Sequence, residues 1–197
     1  MEVSSVSPKS FKSQTRYFFL RLSFFIFDLM RIRLETERLY LREFTLEDAS
    51  CLFDMHQDPE ILRYTGDPFP WDSIQATQNI LSEIILPQYK NGMGRWAVHL
   101  KSDNQFIGWC GLKDTGNEID LGYRFLKVYW GKGYATEAAR AVLDFGNRLH
   151  LPNIIGRAAE ENKASLRVLE KIGMKFPEKY TDPDSGRLSV KYRNSFQ

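Results

Sequence analysis

Two glycines and a lysine precede a predicted helix in the stretch WGKGYAT, residues 130–136. The first N–H groups of a helix have no partner within the helix, and they carry a partial positive charge. Glycines at such a position let the backbone approach an anion, because no Cβ stands in the way. The stretch therefore predicts a phosphate-binding turn, although a bare G-x-G is also typical of an ordinary tight turn into a helix.

Two common nucleotide-binding motifs do not fit this turn. A P-loop needs G-x-x-x-x-G-K-[ST], which the sequence does not contain. A dinucleotide-binding G-x-G-x-x-G lies in the first turn of a parallel strand–helix–strand unit. Here Thr136 replaces the third glycine, and three strands joined by short turns are predicted directly before it.

Other polar side chains lie where they could take part in catalysis or ligand binding. Glu118 and Asp120 lie two residues apart in a predicted strand, so their side chains share a face. They are candidate bases, or they simply face solvent. Ser165 lies on the apolar stripe of a predicted helix, where it either meets a ligand or bonds back to its own first turn. Asn162 precedes this helix and is a good N-cap.

The elements that position these residues follow from hydrophobic periodicity. Strands are predicted at 38–44, 94–100, 105–112, 118–125 and 153–159, and two more in MKFPEKY and LSVKYR near the C-terminus. Helices are predicted after Thr45, from residue 73, over 134–149 and over 163–172. This order predicts a mixed α/β (α+β) sandwich, in which short turns favour antiparallel neighbours.

The composition argues against several classes of protein. A chain of 197 residues suits one domain with a single core. A net charge of +2 without a long basic run argues against binding to nucleic acid. Cys51 and Cys110 lie far apart without redox or metal spacing, which fits reduced thiols in a cytoplasmic protein. The three histidines are scattered, so no metal site is predicted.

Residues 1–30 do not match the rest of the chain. MEVSSVSPKSFKSQTR is polar and aperiodic, and YFFLRLSFFIFDLM is shorter than the about 20 apolar residues that span a membrane. No small-residue cleavage site follows. We predict a disordered leader, an amphipathic surface segment or a start codon assigned too early, and favour Met30 as the first residue of a domain over 31–197.

Several motifs in order resemble the GNAT acyltransferase superfamily, and within it the RimJ/RimL-like ribosomal-protein N-acetyltransferases. They are LETERLYLREFT, FIGWCGL, EIDLGYRF, YWGKGYATEA and AAEENKASLRVLEKIGM, spread over residues 31 to 193. The superfamily motif [Q/R]-x-x-G-x-[G/A] matches Trp130, Gly133 and Ala135. Trp130 departs from the usual Gln or Arg, but a tryptophan is common in this group.

The resemblance implies acetyl-CoA as co-substrate and a GNAT fold. In this fold a mostly antiparallel sheet splays between its fourth and fifth strands, here 118–125 and 153–159, with helices on both faces. The pyrophosphate would lie on the turn, and the pantetheine arm between the splayed strands. The implied cofactor-binding residues are Tyr123, Phe125, Gly131, Lys132, Gly133, Tyr134, Ala135, Thr136 and Asn162.

The resemblance also implies catalytic roles. Backbone groups around Tyr123 and Phe125 would pair with the pantetheine arm, and an N–H there would stabilise charge on the thioester oxygen. Ser165 takes the position proposed to protonate the leaving thiolate. Many relatives use a tyrosine four residues later, where this chain has a leucine. Glu118 or Asp120 would accept the proton of the amine, directly or through a water. Aromatic candidates for the acceptor wall, which are more often core residues, are Tyr64, Phe69, Trp71 and Trp96.

Together these implications predict an acetyl-CoA-dependent N-acetyltransferase. Direct transfer in a ternary complex is expected, because no cysteine or serine is arranged with a histidine as a nucleophile. The acceptor would be a protein N-terminus or a small-molecule amine, and the protein a monomer or a homodimer. A non-catalytic acyl-CoA-binding module and a partner-binding domain stay open as alternatives, although the intact WGKGYA turn argues against the second.

Overall fold

The computed structural model describes residues 32–65, 69 and 71–194. The predicted leader, residues 1–30, lies outside this part of the chain, so its disorder and the favoured start at Met30 stay predictions. The domain boundary at residue 31 also stays a prediction.

A single mixed sheet organises the described residues. Its strands are β1 (Ile32–Glu35), β2 (Leu39–Arg42), β3 (Gly94–Leu100), β4 (Phe106–Asp114), β5 (Ile119–Phe125), β6 (Ile154–Ala159), β7 (Lys175–Thr181) and β8 (Leu188–Arg193). Their spatial order is β1-β2-β3-β4-β5-β6-β8-β7. Pairing is antiparallel from β2 to β5 and from β6 through β8 to β7, and parallel between β5 and β6. The predicted mostly antiparallel sheet is confirmed.

Helices cover both faces of this sheet, as predicted. They are α1 (Ala49–Met55), α2 (Pro59–Leu62), α3 (Ile74–Ile80), α4 (Tyr134–Arg148) and α5 (Lys163–Lys171). Alternation along β3 sends Trp96 and Val98 into the core beneath α4 and α5, and Ala97 into a second core with α1. Two hydrophobic cores therefore hold the sheet rigidly between the helical layers.

The sheet splays where the resemblance implied. β5 pairs with β6 only over residues 119–121, which lie opposite residues 154–156. Beyond this point β5 stays with β4 as far as Phe125, while β6 stays with β8 as far as Ala159. These two strands were counted fourth and fifth from the sequence, but β1 makes them the fifth and sixth.

Candidate active site

A cavity of about 720 Å³ lies where β5 and β6 diverge. Its walls come from the end of β5, the turn before α4, the end of β6 and the start of α5, together with α2 and the loop after it. Nine of the twelve predicted site residues line it: Tyr123, Phe125, Gly131, Gly133, Tyr134, Ala135, Thr136, Asn162 and Ser165. Lys132, Glu118 and Asp120 are not among the lining residues.

The turn of residues 130–136, called here the cofactor turn, leaves the first N–H groups of α4 available. Gly131 and Gly133 have φ of 74° and 83°, a left-handed backbone that favours glycine. Gly133 is the N-cap of α4 and has no side chain to accept from the helix. By contrast, Asn162 caps α5 through Oδ1, which accepts the N–H of Ser165 at 3.1 Å. The longer helix therefore presents unpaired donors at the cavity.

Trp130 joins the cofactor turn to the end of β5. Its indole N–H donates to the carbonyl of Phe125 at 2.7 Å, and its ring is half exposed in the cavity wall. The resemblance implied open backbone groups around Phe125, whereas this carbonyl is paired with Trp130. Lys132 extends from the same turn and lies over the ring of Tyr129, with Nζ 5.4 Å from its centre.

The free backbone edge of β5 follows from its pairing with β4. Leu126 N–H donates to the carbonyl of Ile107 at 2.9 Å. Residues of an antiparallel pair alternate between facing the partner and facing away, so Arg124 and Gly122 bond toward β4. The backbone groups of Tyr123 and Phe125 consequently face the gap that opens toward β6.

Two hydroxyls meet across this gap. Ser165 Oγ–H donates to the phenol oxygen of Tyr123 at 2.9 Å, and the phenol donates to the carbonyl of Ser165 at 2.8 Å. Burial raises the pKa of Tyr123, so the phenol stays protonated at neutral pH. Ser165 therefore bonds to a side chain of β5 rather than back to the first turn of its own helix.

Asp120 lies in an ion-pair cluster on the opposite face of β5. It pairs with Arg95 of β3 and accepts from Arg157 Nε of β6 at 3.2 Å. Burial alone would raise the pKa of Asp120, but the two guanidinium groups outweigh this effect and lower it below its usual range. The carboxylate is charged at neutral pH and ties three strands together.

Glu118 also pairs with cations rather than facing solvent alone. Its carboxylate accepts from Lys191 at 3.0 and 3.2 Å and from Arg193 at 3.2 Å, both on β8. Glu118 directly precedes β5 at its paired end, seven residues before Phe125 at the splayed end. At about 3.3 Å per residue, this separation places Glu118 about 23 Å along the strand from Phe125.

The two cysteines are poor nucleophiles. Burial raises the pKa of both Cys51 and Cys110 to about 12, and the reactive species of a cysteine is the thiolate. Within the described residues, no group of three or more His, Cys, Asp or Glu side chains is placed to hold a metal ion.

Comparison with known proteins identifies the family of this chain. The acetyltransferase (GNAT) domain family matches residues 38–175. The chain belongs to this family. An uncharacterized N-acetyltransferase of Bacillus licheniformis, p20, is 30% identical over 143 residues, or 71% of this chain and 80% of p20.

Solved structures agree with this family. The GNAT-family acetyltransferase from Bacillus anthracis is 26% identical, with a TM-score of 0.66 over 82% of this chain and 95% of that chain. The ribosomal L7/L12 α-N-protein acetyltransferase RimL, solved with coenzyme A, has a TM-score of 0.69 over 83% of this chain and 97% of its own. At 13% identity, the second comparison shows the fold alone.

The cavity of this acetyltransferase suits the donor that the GNAT family uses. Acetyl-CoA carries an anionic pyrophosphate and an extended amide-containing arm. Unpaired helix N–H groups and a free strand edge, both in one cavity, complement these two parts. No helix in the described ranges is long and apolar enough to cross a membrane.

The structure also adds residues that sequence reasoning missed. Arg63, Arg124 and Arg157 line the cavity, and of the four aromatic candidates for the acceptor wall, Tyr64 does so. Trp96 is fully buried, whereas Trp71 stacks on His56 and Phe69 packs edge-on against Trp71. One signal was available for Arg157, because it interrupts the apolar run of β6.

Proposed function

We propose that this acetyltransferase moves the acetyl group of acetyl-CoA directly to a primary amine while both substrates occupy the cavity. The observation that carries the proposal is the cavity itself, which joins the cofactor turn, the free edge of β5 and the hydroxyl of Ser165. The high pKa of both thiols supports direct transfer, because an acetyl-cysteine intermediate would need a thiolate.

The chain holds the donor through backbone groups. N–H groups from Gly131 to Thr136 bind the pyrophosphate, and Lys132 adds a positive charge beside them. Backbone groups of Tyr123 and the N–H of Phe125 pair with the pantetheine arm, while Asn162 keeps its capping role and offers its amide N–H to the arm. The thioester of acetyl-CoA supplies an electrophilic carbonyl carbon at the divergence of the strands.

The amine nitrogen forms a bond to the acetyl carbon, and the bond from that carbon to sulfur breaks. Ser165 Oγ–H turns from Tyr123 toward the sulfur and donates its proton to the leaving thiolate. The phenol of Tyr123 keeps the hydroxyl of Ser165 oriented before this step. The amine nitrogen becomes positively charged as it bonds to the acetyl carbon, and the proton that it then loses returns to Ser165 Oγ.

The proton of the incoming ammonium must leave before attack, because an ammonium has no lone pair. Glu118 and Asp120 are the carboxylates proposed for this step, and both are held by cations outside the lining of the cavity. A chain of waters between the amine and one of them would carry the proton. The low pKa of Asp120 makes it a weak base for this step.

We expect the base to be revealed by pH profiles of kcat for Glu118→Gln and Asp120→Asn. The amide variant of the true base loses the acidic limb of the profile and about a hundredfold in kcat. The other variant keeps the limb and serves as the control. If both variants keep the wild-type profile, neither carboxylate is the base.

The proposal also covers the class of acceptor, the cellular compartment and the oligomeric state. The similarity to RimL supports a protein N-terminus as acceptor, and a small-molecule amine is equally compatible with the cavity. We propose a cytoplasmic protein, either monomeric or homodimeric.

The proposed function is tested by titrating acetyl-CoA into the full chain by calorimetry and then measuring thiol release with amines. Free and N-terminally blocked peptides form one matched acceptor set, and amines with their N-methylated forms another. We expect a Kd on the order of micromolar and release only with a free amine. Binding without release from any acceptor would indicate an acyl-CoA-binding module. No binding by folded protein would indicate a partner-binding domain.

Ser165→Ala is expected to lower kcat by about tenfold to a hundredfold, at or below the low end of general acid catalysis because a thiolate leaves readily. The KM for acetyl-CoA should change little, since the backbone contacts remain. Steady-state kinetics of thiol release measures both constants. Ser165→Thr keeps the hydroxyl and is expected to retain more activity. A kcat in Ser165→Ala equal to that of the wild type would remove Ser165 from the mechanism.

A further inference from the structure

The turn between β1 and β2 contacts the cofactor turn through Arg38, which is not among the residues that line the cavity. Arg38 Nη1 donates to the carbonyl of Lys132 at 3.1 Å. Its guanidinium also lies over the ring of Tyr134, with Cζ 4.4 Å from the ring centre. A Cβ built on Gly133 would lie 3.5 Å from Arg38 Nη2. Arg38 therefore contacts Lys132 and Tyr134, the residues on either side of Gly133, although it lies 94 positions before Lys132.

The same arginine pairs with a carboxylate in the first turn of α4. Glu137 Oε2 accepts from Arg38 Nε at 2.7 Å and lies 2.7 Å from Nη2. Glu137 Oε1 accepts from the backbone N–H of Arg38 at 2.9 Å and from Thr36 Oγ at 2.6 Å. Burial alone would raise the pKa of Glu137, but the bonds from Thr36 and Arg38 outweigh it and lower this pKa. Glu137 is charged at neutral pH.

A charged Glu137 creates an electrostatic problem for an anion-binding turn. A carboxylate in the first turn favours the helix itself, because it faces the positive end of the helix dipole. The same negative charge repels a pyrophosphate bound at that helix end. Arg38 neutralises the charge of Glu137 locally. The partial positive charge of the α4 N–H groups then dominates the electrostatic potential at the cofactor turn.

We infer that Arg38 is a positioning residue for the donor substrate, which holds the backbone of the cofactor turn and neutralises Glu137 so that the turn accepts the pyrophosphate of acetyl-CoA. This inference rests on the proposed function. It explains why TERL and GYATE, two motifs far apart in the sequence, meet in the fold. Thr36 and Arg38 come from the first motif, and Glu137 ends the second.

Calorimetric titration of the full chain with acetyl-CoA and with S-acetylpantetheine, which lacks the pyrophosphate, tests the inference. Arg38→Ala is expected to raise the Kd for acetyl-CoA about tenfold, the size of a partly buried charge effect at a helix end, and to leave the Kd for S-acetylpantetheine unchanged. Arg33→Ala is the matched control, because Arg33 pairs with Glu43 on the same sheet edge and has nearly equal exposure, 41% against 43%.

Further variants separate the two roles of Arg38 from a general loss of structure. Arg38→Lys keeps the charge but not the fork of donors, so an intermediate Kd is expected. Adding Glu137→Gln to Arg38→Ala is expected to recover part of the lost affinity, because the repelling charge is gone. Thermal unfolding of each variant checks folding.

The possible outcomes are distinct. Equal affinity of Arg38→Ala and the wild type for acetyl-CoA would overturn the inference while leaving the proposed function intact. Equal losses for acetyl-CoA and S-acetylpantetheine would also overturn it, because the effect would not depend on the pyrophosphate. A folded wild-type protein that binds neither ligand would overturn the proposed function and this inference together.

Discussion

Gly133→Glu is expected to abolish acetyl-CoA binding, with a Kd at least about a hundredfold higher, or about 2.7 kcal/mol. The new carboxylate would stand at the N-cap of α4, where the proposed pyrophosphate binds, and it would meet Arg38. Its charge and its volume both oppose the ligand. Calorimetric titration of acetyl-CoA measures the effect directly.

Gly116→Glu is the matched control for this variant. Gly116 has a φ of 92°, close to the 83° of Gly133, and a Cβ built on it meets no atom within 4 Å. Both variants therefore carry similar backbone strain, of about 1 kcal/mol, and only Gly133→Glu should lose the ligand. Wild-type affinity in Gly133→Glu would refute the placement of the pyrophosphate.

Asp120→Ala is expected to lower the free energy of unfolding by about 3 kcal/mol, the usual cost of removing one partner of a buried ion pair. The variant leaves Arg95 without its carboxylate while its side chain stays only 14% exposed. Urea unfolding at pH 7 measures the change. Asp144→Ala, at an exposed position on α4, should stay within about 0.5 kcal/mol of the wild type.

The pH dependence gives a second test of Asp120. Its folded pKa is lowered, so its contribution to stability is fully present above the ordinary aspartate pKa of about 4. The contribution is lost as the pH falls from there through the folded pKa. The difference in unfolding free energy between wild type and Asp120→Ala should therefore stay constant from neutral pH to about pH 5 and shrink at lower pH. A difference that grows on acidification would contradict the ion-pair assignment.

Local sequence was enough to predict the cofactor turn and most elements. A glycine at a positive φ and a helix start are properties of neighbouring residues, so the geometry of Gly131, Gly133 and α4 follows from the stretch itself. The position of Tyr123 beside the splay was implied by the resemblance to the GNAT family. The short strand β1 was missed, because four residues next to an atypical leader carry too little periodicity.

Partners from distant strands were not predictable in the same way. Glu118 and Asp120 were expected to share a face, yet nothing in their own strand indicates which cations they meet. Those cations come from β3, β6 and β8, and only the sheet order brings them together. The bond of Ser165 to Tyr123 is another long-range contact, across 42 positions.

By itself, the sequence of this protein determined the family, the mixed sheet with helices on both faces, and the turn that is expected to hold an anion. These features rest on short-range periodicity, on glycine conformations and on motifs in order. Only the tertiary structure decided that Asp120 is held between Arg95 and Arg157, that Ser165 meets Tyr123, and that Arg38 contacts the cofactor turn. Charge and hydrogen bonding act through space over a few ångströms, and strand order, rather than spacing along the chain, sets which groups come that close.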